Sequence, residues 1–128
     1  MSESKNEGVV RTFFEIYNRH EQESMFPDWS DDLIVITPML RRLDYDGFKE
    51  EMLQERNGFP DAQMTIRNLI SKGNVAAVET DWKGTQTGEY LGRSPTNVTY
   101  EAPGAWIFEL ENEKITGIRY YFNPTLYS

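Results

Sequence analysis

The chain has 128 residues, the size of one ordinary domain. At that length roughly 65–70% of the unfolded surface is buried on folding, so no disulfide or metal staple is needed. It carries 21 acidic against 13 basic residues, a formal net charge of −8, which argues against a nucleic-acid partner and an anionic membrane surface. Cysteine is absent, which excludes disulfides, thiolate metal sites and cysteine nucleophiles.

No apolar run approaches the ~20 residues of a membrane span. The opening "MSESKNEGVV" is polar and acidic, unlike a secretion signal. These features predict a cytoplasmic protein with residues 1–128 in a single domain. Ser4 and Glu7 have the spacing of a capping box. Behind them Val9, Val10, Phe13, Phe14, Ile16 and Tyr17 recur at helical spacing, predicting a first helix from about Ser4 to Glu23. Pro27 and "DWSDD" end it, and "LIVITP" reads as a short strand. "DGFKEEMLQERNG" reads as a second helix, with Asp46 as N-cap, Phe48, Met52 and Leu53 inward, and Gly58 as terminator.

Strands follow. "AQMTIRNLIS" alternates Met64, Ile66, Asn68 and Ile70 against Thr65, Arg67 and Leu69, and Lys72–Asn74 is a hairpin turn. "VAAVETDWKG" precedes the glycine-punctuated "TQTGEYLGRSPTN". "VTYEAPGAWIFEL" is a long strand, bulged by Pro103 and Gly104. "ENEK" turns the chain into the last strand, "ITGIRYYFN". Two helices in front of an antiparallel meander make an α+β arrangement. A curved sheet over helices encloses a cavity suited to a small molecule.

The stretch "GFKEEMLQERNGFPDAQMTIRNLISKGNVAAVETDWKGTQTGEYLG", then "SPTN" and "ENEKITGIRYYFNPTLYS", resembles the SnoaL-like polyketide cyclases of the nuclear transport factor 2-like (NTF2-like) superfamily. The resemblance runs from about Val9 to Leu126. It implies an NTF2-like cone, a curved antiparallel or mixed sheet packed on N-terminal helices, with an internal pocket. It further implies cofactor-free acid/base chemistry on a hydrophobic small molecule and pairing of two copies through the outer sheet face. In the cyclases a pocket Asp on the last strand is the general acid/base and a His in the glycine loop accompanies it. Those positions fall on Asn123 and Gln86 here, and Asn97 replaces a Gly. An amide keeps hydrogen-bonding capacity but exchanges no proton near pH 7. The alternative is therefore a non-catalytic ligand-binding module.

On the last strand Arg119, Tyr121 and Asn123 share one face and Ile118, Tyr120 and Phe122 the other. With Asn123 at the family's Asp position, the first set faces the pocket and Tyr120 and Phe122 face a partner subunit. In the other reading Arg119 pairs with a surface acid. Glu79 and Asp81 share a face of their strand and form an acid/base pair if desolvated, or a solvated outer face if not. Trp106, which shares a face with Phe108, is core, interface or substrate contact. Tyr17 matches the first-helix oxyanion donor of ketosteroid isomerase-like relatives, or simply caps the core. Asn123, Asp81 and Glu79 are thus the catalytic candidates, and Tyr17, Gln86, Trp106, Arg119 and Tyr121 the substrate-binding ones. His20 is the only histidine, placed to complement a helix C-terminus. One His and no Cys predict no transition-metal site, no phosphate-cradling glycine loop is present, and no cofactor is expected.

Overall fold

A computed structural model describes the backbone of residues 2–123 and the side chains of residues 5–123. Ser4 of the capping box, as a side chain, and the closing Pro124–Ser128 motif lie outside the described residues. The elements are α1 (Ser2–Asn18), a 3-10 turn (Gln22–Asp28), β1 (Trp29–Ile36), β2 (Arg42–Leu43), α2 (Tyr45–Gly58), β3 (Gln63–Lys72), β4 (Val75–Thr85), β5 (Thr99–Glu111) and β6 (Lys114–Tyr121). They build the expected α+β arrangement. The six strands form one sheet in the order β2-β1-β6-β5-β4-β3. All neighbours are antiparallel except β1 and β6, so the sheet is mixed.

Helix α1 buries Asn6, Val10, Phe13, Phe14 and Tyr17, one stripe of a 3.6-residue period. Phe13 and Phe14 present their edges to Trp106 and Phe108 on β5. The helix ends at Asn18, earlier than the expected Glu23. His20 takes a left-handed φ of 60°, and the Glu21 and His20 amides return to the carbonyls of Ile16 and Tyr17. That is a Schellman closure, with His at the position glycine usually fills. His20 is therefore the residue that turns the helix off, and its ring meets the Ala62 carbonyl at 2.7 Å. Asn18 bonds Met64 twice, accepting from its amide at 2.7 Å and donating to its carbonyl at 2.9 Å. These bonds fix the end of α1, and with it Tyr17, against the start of β3.

Asp44, not Asp46, caps α2, accepting from the Gly47 amide at 2.9 Å. The Asn112-Glu113 turn between β5 and β6 has positive φ at both central residues, the hairpin geometry that matches strand twist. The predicted bulge at Pro103-Gly104 is absent, since β5 pairs with β4 without a shift from Val75↔Glu109 to Thr85↔Thr99. Pro103 lies beyond the last β6 pair, Ala105↔Tyr121, where one edge of β5 is open. Register shifts lie elsewhere, in β3, in β6 and between Trp29 and Ile34 of β1. One extra residue at Arg67 in β3, and one at Thr116 in β6, reverse the side-chain phase. Leu69 thus packs against the core and Ile70 points out, 61% exposed.

Candidate active site

The inward positions of β5 run Leu110, Phe108, Trp106, Gly104, Ala102 from the packed end of the sheet. The first three are large and fill the core. The last two are nearly without side chain and stand opposite Thr80 and Trp82 of β4. This loss of side-chain volume opens a cavity holding about 820 Å³ not occupied by protein atoms, part of it open to solvent. A Cβ on Gly104 would come within 3.2 Å of the Tyr121 carbonyl and 3.4 Å of the Thr80 hydroxyl, so glycine keeps this wall thin. Trp82, Trp106, Tyr120 and Phe122 line the sheet side, Glu51 and Glu55 the helix side, and Pro38, Met39, Arg41, Leu91 and Tyr121 the rim. The Trp106 and Tyr120 rings stack at 4.5 Å and 13°.

Glu55 is the chemically distinctive group. It sits on the inward stripe of α2, three residues after Met52 and four before Phe59, both buried. Its carboxylate accepts a hydrogen bond from the Tyr17 hydroxyl, and that hydroxyl in turn accepts one from the Trp82 indole N–H at 2.7 Å. Burial among apolar side chains pushes the Glu55 carboxyl up to about 7, against the Tyr17 hydrogen bond that favours its charged form; the nearby Glu51 charge raises it further, and a Trp82 hydrogen bond opposes. A carboxyl poised there is both acid and base at neutral pH.

Glu51 lies one turn earlier on the same face. Desolvation raises its pKa as well, opposed by the Arg41 charge and by a hydrogen bond from Tyr90. Gly58 brings the end of α2 against Tyr90, since a Cβ there would lie 2.8 Å from the Tyr90 Cβ. The cavity therefore holds two carboxyls displaced toward their neutral forms, with Arg41 the basic side chain at its edge.

Few of the residues singled out from the sequence stand here. The last strand faces opposite to expectation: Tyr120 and Phe122 line the cavity, whereas Arg119 lies on the outer face, ion-paired with Glu109. Asn123 is exposed and outside the cavity lining. Tyr121, 48% exposed, reaches only the rim. Glu79 and Asp81 are exposed on the outer face, Asp81 against Arg67 at 3.4 Å. The reason is that helices cover the face carrying Val78, Thr80 and Trp82, leaving the alternate residues to solvent. Gln86 is buried but spends its amide within its own loop, donating to the carbonyls of Gly88, Arg93 and Ser94 and accepting from Thr96. Tyr17 is 1% exposed and meets Glu55 rather than the cavity. Trp106 does line it. The sequence reading passes over Glu51, Glu55, Tyr90 and Arg41. For Glu55 a signal existed: a charged residue on the apolar stripe Phe48, Met52, Phe59.

The family model for SnoaL-like polyketide cyclases matches residues 7–125. This chain belongs to the SnoaL-like polyketide cyclase family. Solved structures show the fold of this SnoaL-like protein at low identity. A protein from Jannaschia sp. CCS1, provisionally assigned as a SnoaL-like polyketide cyclase, superposes with TM-score 0.89 at 17% identity, covering 97% of this chain and 89% of its own. AclR from Streptomyces galilaeus, provisionally assigned as a hydroxylase, gives 0.85 at 16%, covering 94% and 90%. A protein of ketosteroid isomerase-like fold from Catenulispora acidiphila gives 0.72 at 12%, covering 91% and 85%. No curated protein sequence matches the chain. The SnoaL-like chain thus has the NTF2-like fold, a curved six-stranded sheet packed against helices, and its relatives on that fold carry differing assignments.

Proposed function

We propose that this SnoaL-like protein is a cofactor-free acid/base enzyme acting on a hydrophobic small molecule, polyketide-like or terpenoid-like in its apolar body. The reaction class is proton transfer: cyclisation, isomerisation, dehydration or hydration. The observation that carries this reading is Glu55, a carboxyl titrating near neutrality on the wall of an aromatic cavity. Glu55, rather than Asn123, Asp81 or Glu79, is the general acid/base in this reading. Tyr17 and Trp82 hold it, Trp106 and Tyr120 pack against the ligand's flat body, and Thr80 and Glu51 offer polar contacts.

The test is turnover across a panel of enolisable polyketide-like ketones and enones. The wild-type rate is expected to follow a single ionisation with an apparent pKa of about 7, and Glu55→Gln to lose at least ~100-fold, the usual weight of a general acid or base. Undiminished turnover by Glu55→Gln would remove Glu55 from the chemistry.

A second reading, a binding module without turnover, is supported by the resemblance, which implies that Asn123 and Gln86 stand at the family's Asp and His positions, and by the hydrogen bonds that tie Gln86 into its own loop. A ligand that co-purifies chemically unchanged would support it. In either reading we infer a homodimer through the outer sheet face, where Ile70, Val75 and Tyr121 are exposed. Tyr120 and Phe122 are not part of that face.

A further inference from the structure

Proton transfer at Glu55 gives no part to Arg41 at the edge of the cavity. Four arginines elsewhere stand in ion pairs, Arg19 with Glu21, Arg56 with Glu23, Arg67 with Asp81 and Arg119 with Glu109, while Arg11, exposed on α1, has none among the described residues. Arg41, Arg42 and Arg93 form no ion pair among the described residues, and all three are exposed. They lie on segments 37–44 and 86–97, both of which contribute to the cavity lining, but of the three only Arg41 lines it. Those segments hold three bases against two acids, Asp44 and Glu89, in a chain of net charge −8. Asp44 is already committed to capping α2. Arg41 itself lines the cavity. Its backbone is closed into a tight turn, with the Thr37 amide donating to the Arg41 carbonyl at 2.9 Å and the Arg41 amide to the Thr37 hydroxyl at 3.1 Å. The stem is thereby anchored while the guanidinium makes no hydrogen bond among the described residues.

A guanidinium in this position is a ready partner for a planar anion, offering parallel N–H donors to two oxygens. A basic side chain at the mouth of a low-dielectric cleft also concentrates anions there, against the charge of the chain as a whole. The charged groups facing the same space are Glu51 and Glu55. Burial pushes both toward their neutral forms, in Glu51 against the Arg41 charge and the Tyr90 hydrogen bond, which favour its anion, so their opposition to an anion at the rim is reduced.

We infer that the cavity takes an apolar ligand with an anionic end, a carboxylate or an equivalent oxyanion, seated on Arg41 at the mouth with its body against Trp106 and Tyr120. This rests on the cavity being a ligand site, as proposed above, and not on Glu55 performing turnover.

The experiment compares 2-naphthoate with its neutral isostere 2-naphthamide, by calorimetry at pH 6 and low salt. Wild type is expected to bind naphthoate at least about tenfold tighter, the worth of a charge-assisted hydrogen bond. Added salt should erode that advantage without changing naphthamide affinity. Arg41→Gln should bring the ratio close to one, Arg41→Lys should leave it intermediate, and Arg11→Gln, a change on α1 away from the cavity, should preserve it. Glu55→Gln should also preserve the preference, which separates this inference from the assignment of the general base. Equal affinity of wild type for the two probes, an unchanged ratio in Arg41→Gln, or binding of neither probe at millimolar concentration would each overturn it.

Discussion

Glu55 sits where its proton and the fold are coupled. Its carboxyl is raised from the ordinary 4.5 to about 7 by burial, so the folded protein holds the proton more tightly than the unfolded chain. Stability from this group is fully present below about pH 4.5 and falls as pH rises through 7, since across that window the native state binds more protons than the unfolded state. A displacement of this size corresponds to about 1–3 kcal/mol, taken as an upper range because the side chain is partly open to the cavity. Glu55→Gln is therefore expected to stabilise the protein at pH 8 by about 1–2 kcal/mol and to change it little at pH 4.5. Urea unfolding at the two pH values checks this, and equal effects at both would contradict the coupling.

At the scale of elements, β5 makes the site by changing the size of its inward side chains. Trp106, Phe108 and Leu110 pack the closed end, and Ala102 and Gly104 leave the open end empty. Ala102→Leu should fill that space beside Trp82. Naphthalene-sized ligands are expected to lose at least tenfold in affinity while stability falls by only about 1 kcal/mol, the low end for overpacking because the added atoms enter a cavity. Calorimetry and chemical denaturation of the same variant separate the two effects, and undiminished binding would place the ligand elsewhere. The elements also show what the sequence could reveal. Alternation in "IRYYFN" correctly sorts Ile118, Tyr120 and Phe122 from Arg119, Tyr121 and Asn123. It does not say which set faces in, because a period of two is symmetric between the faces of a sheet. The resemblance, through Asn123, points to the wrong set. In β3 even the parity fails, since the extra residue at Arg67 is invisible in the alternation of Met64, Ile66 and Ile70.

For the whole molecule, helices cover one face of the sheet and leave the other open. On the open face Ile70, Val75 and Tyr121 are exposed, with Ala77, Ala105 and Ile107 half-buried between the ion pairs Arg67–Asp81 and Arg119–Glu109. An apolar centre rimmed by charge is the anatomy of a protein interface. Sedimentation at about 10 µM, where an interface of ordinary size is populated, should return the mass of a dimer, and Ile107→Glu should return a monomer; a wild-type monomer would refute the pairing. No helix among the described residues is long and apolar enough to cross a membrane.

The sequence by itself determined the order of the main elements, the hairpin turns at Gly73 and Asn112, the α1 stripe and the family, because each depends on neighbours along the chain or on motifs read in order. Only the tertiary structure decided which face of the last strand lines the cavity, and that Glu55, Tyr17, Trp82 and Arg41 belong to one place. Tyr17 and Glu55 stand 38 residues apart, and Tyr17 and Trp82 stand 65 apart. The energetics that move the Glu55 proton come from burial, a property of the assembled core that no local spacing encodes.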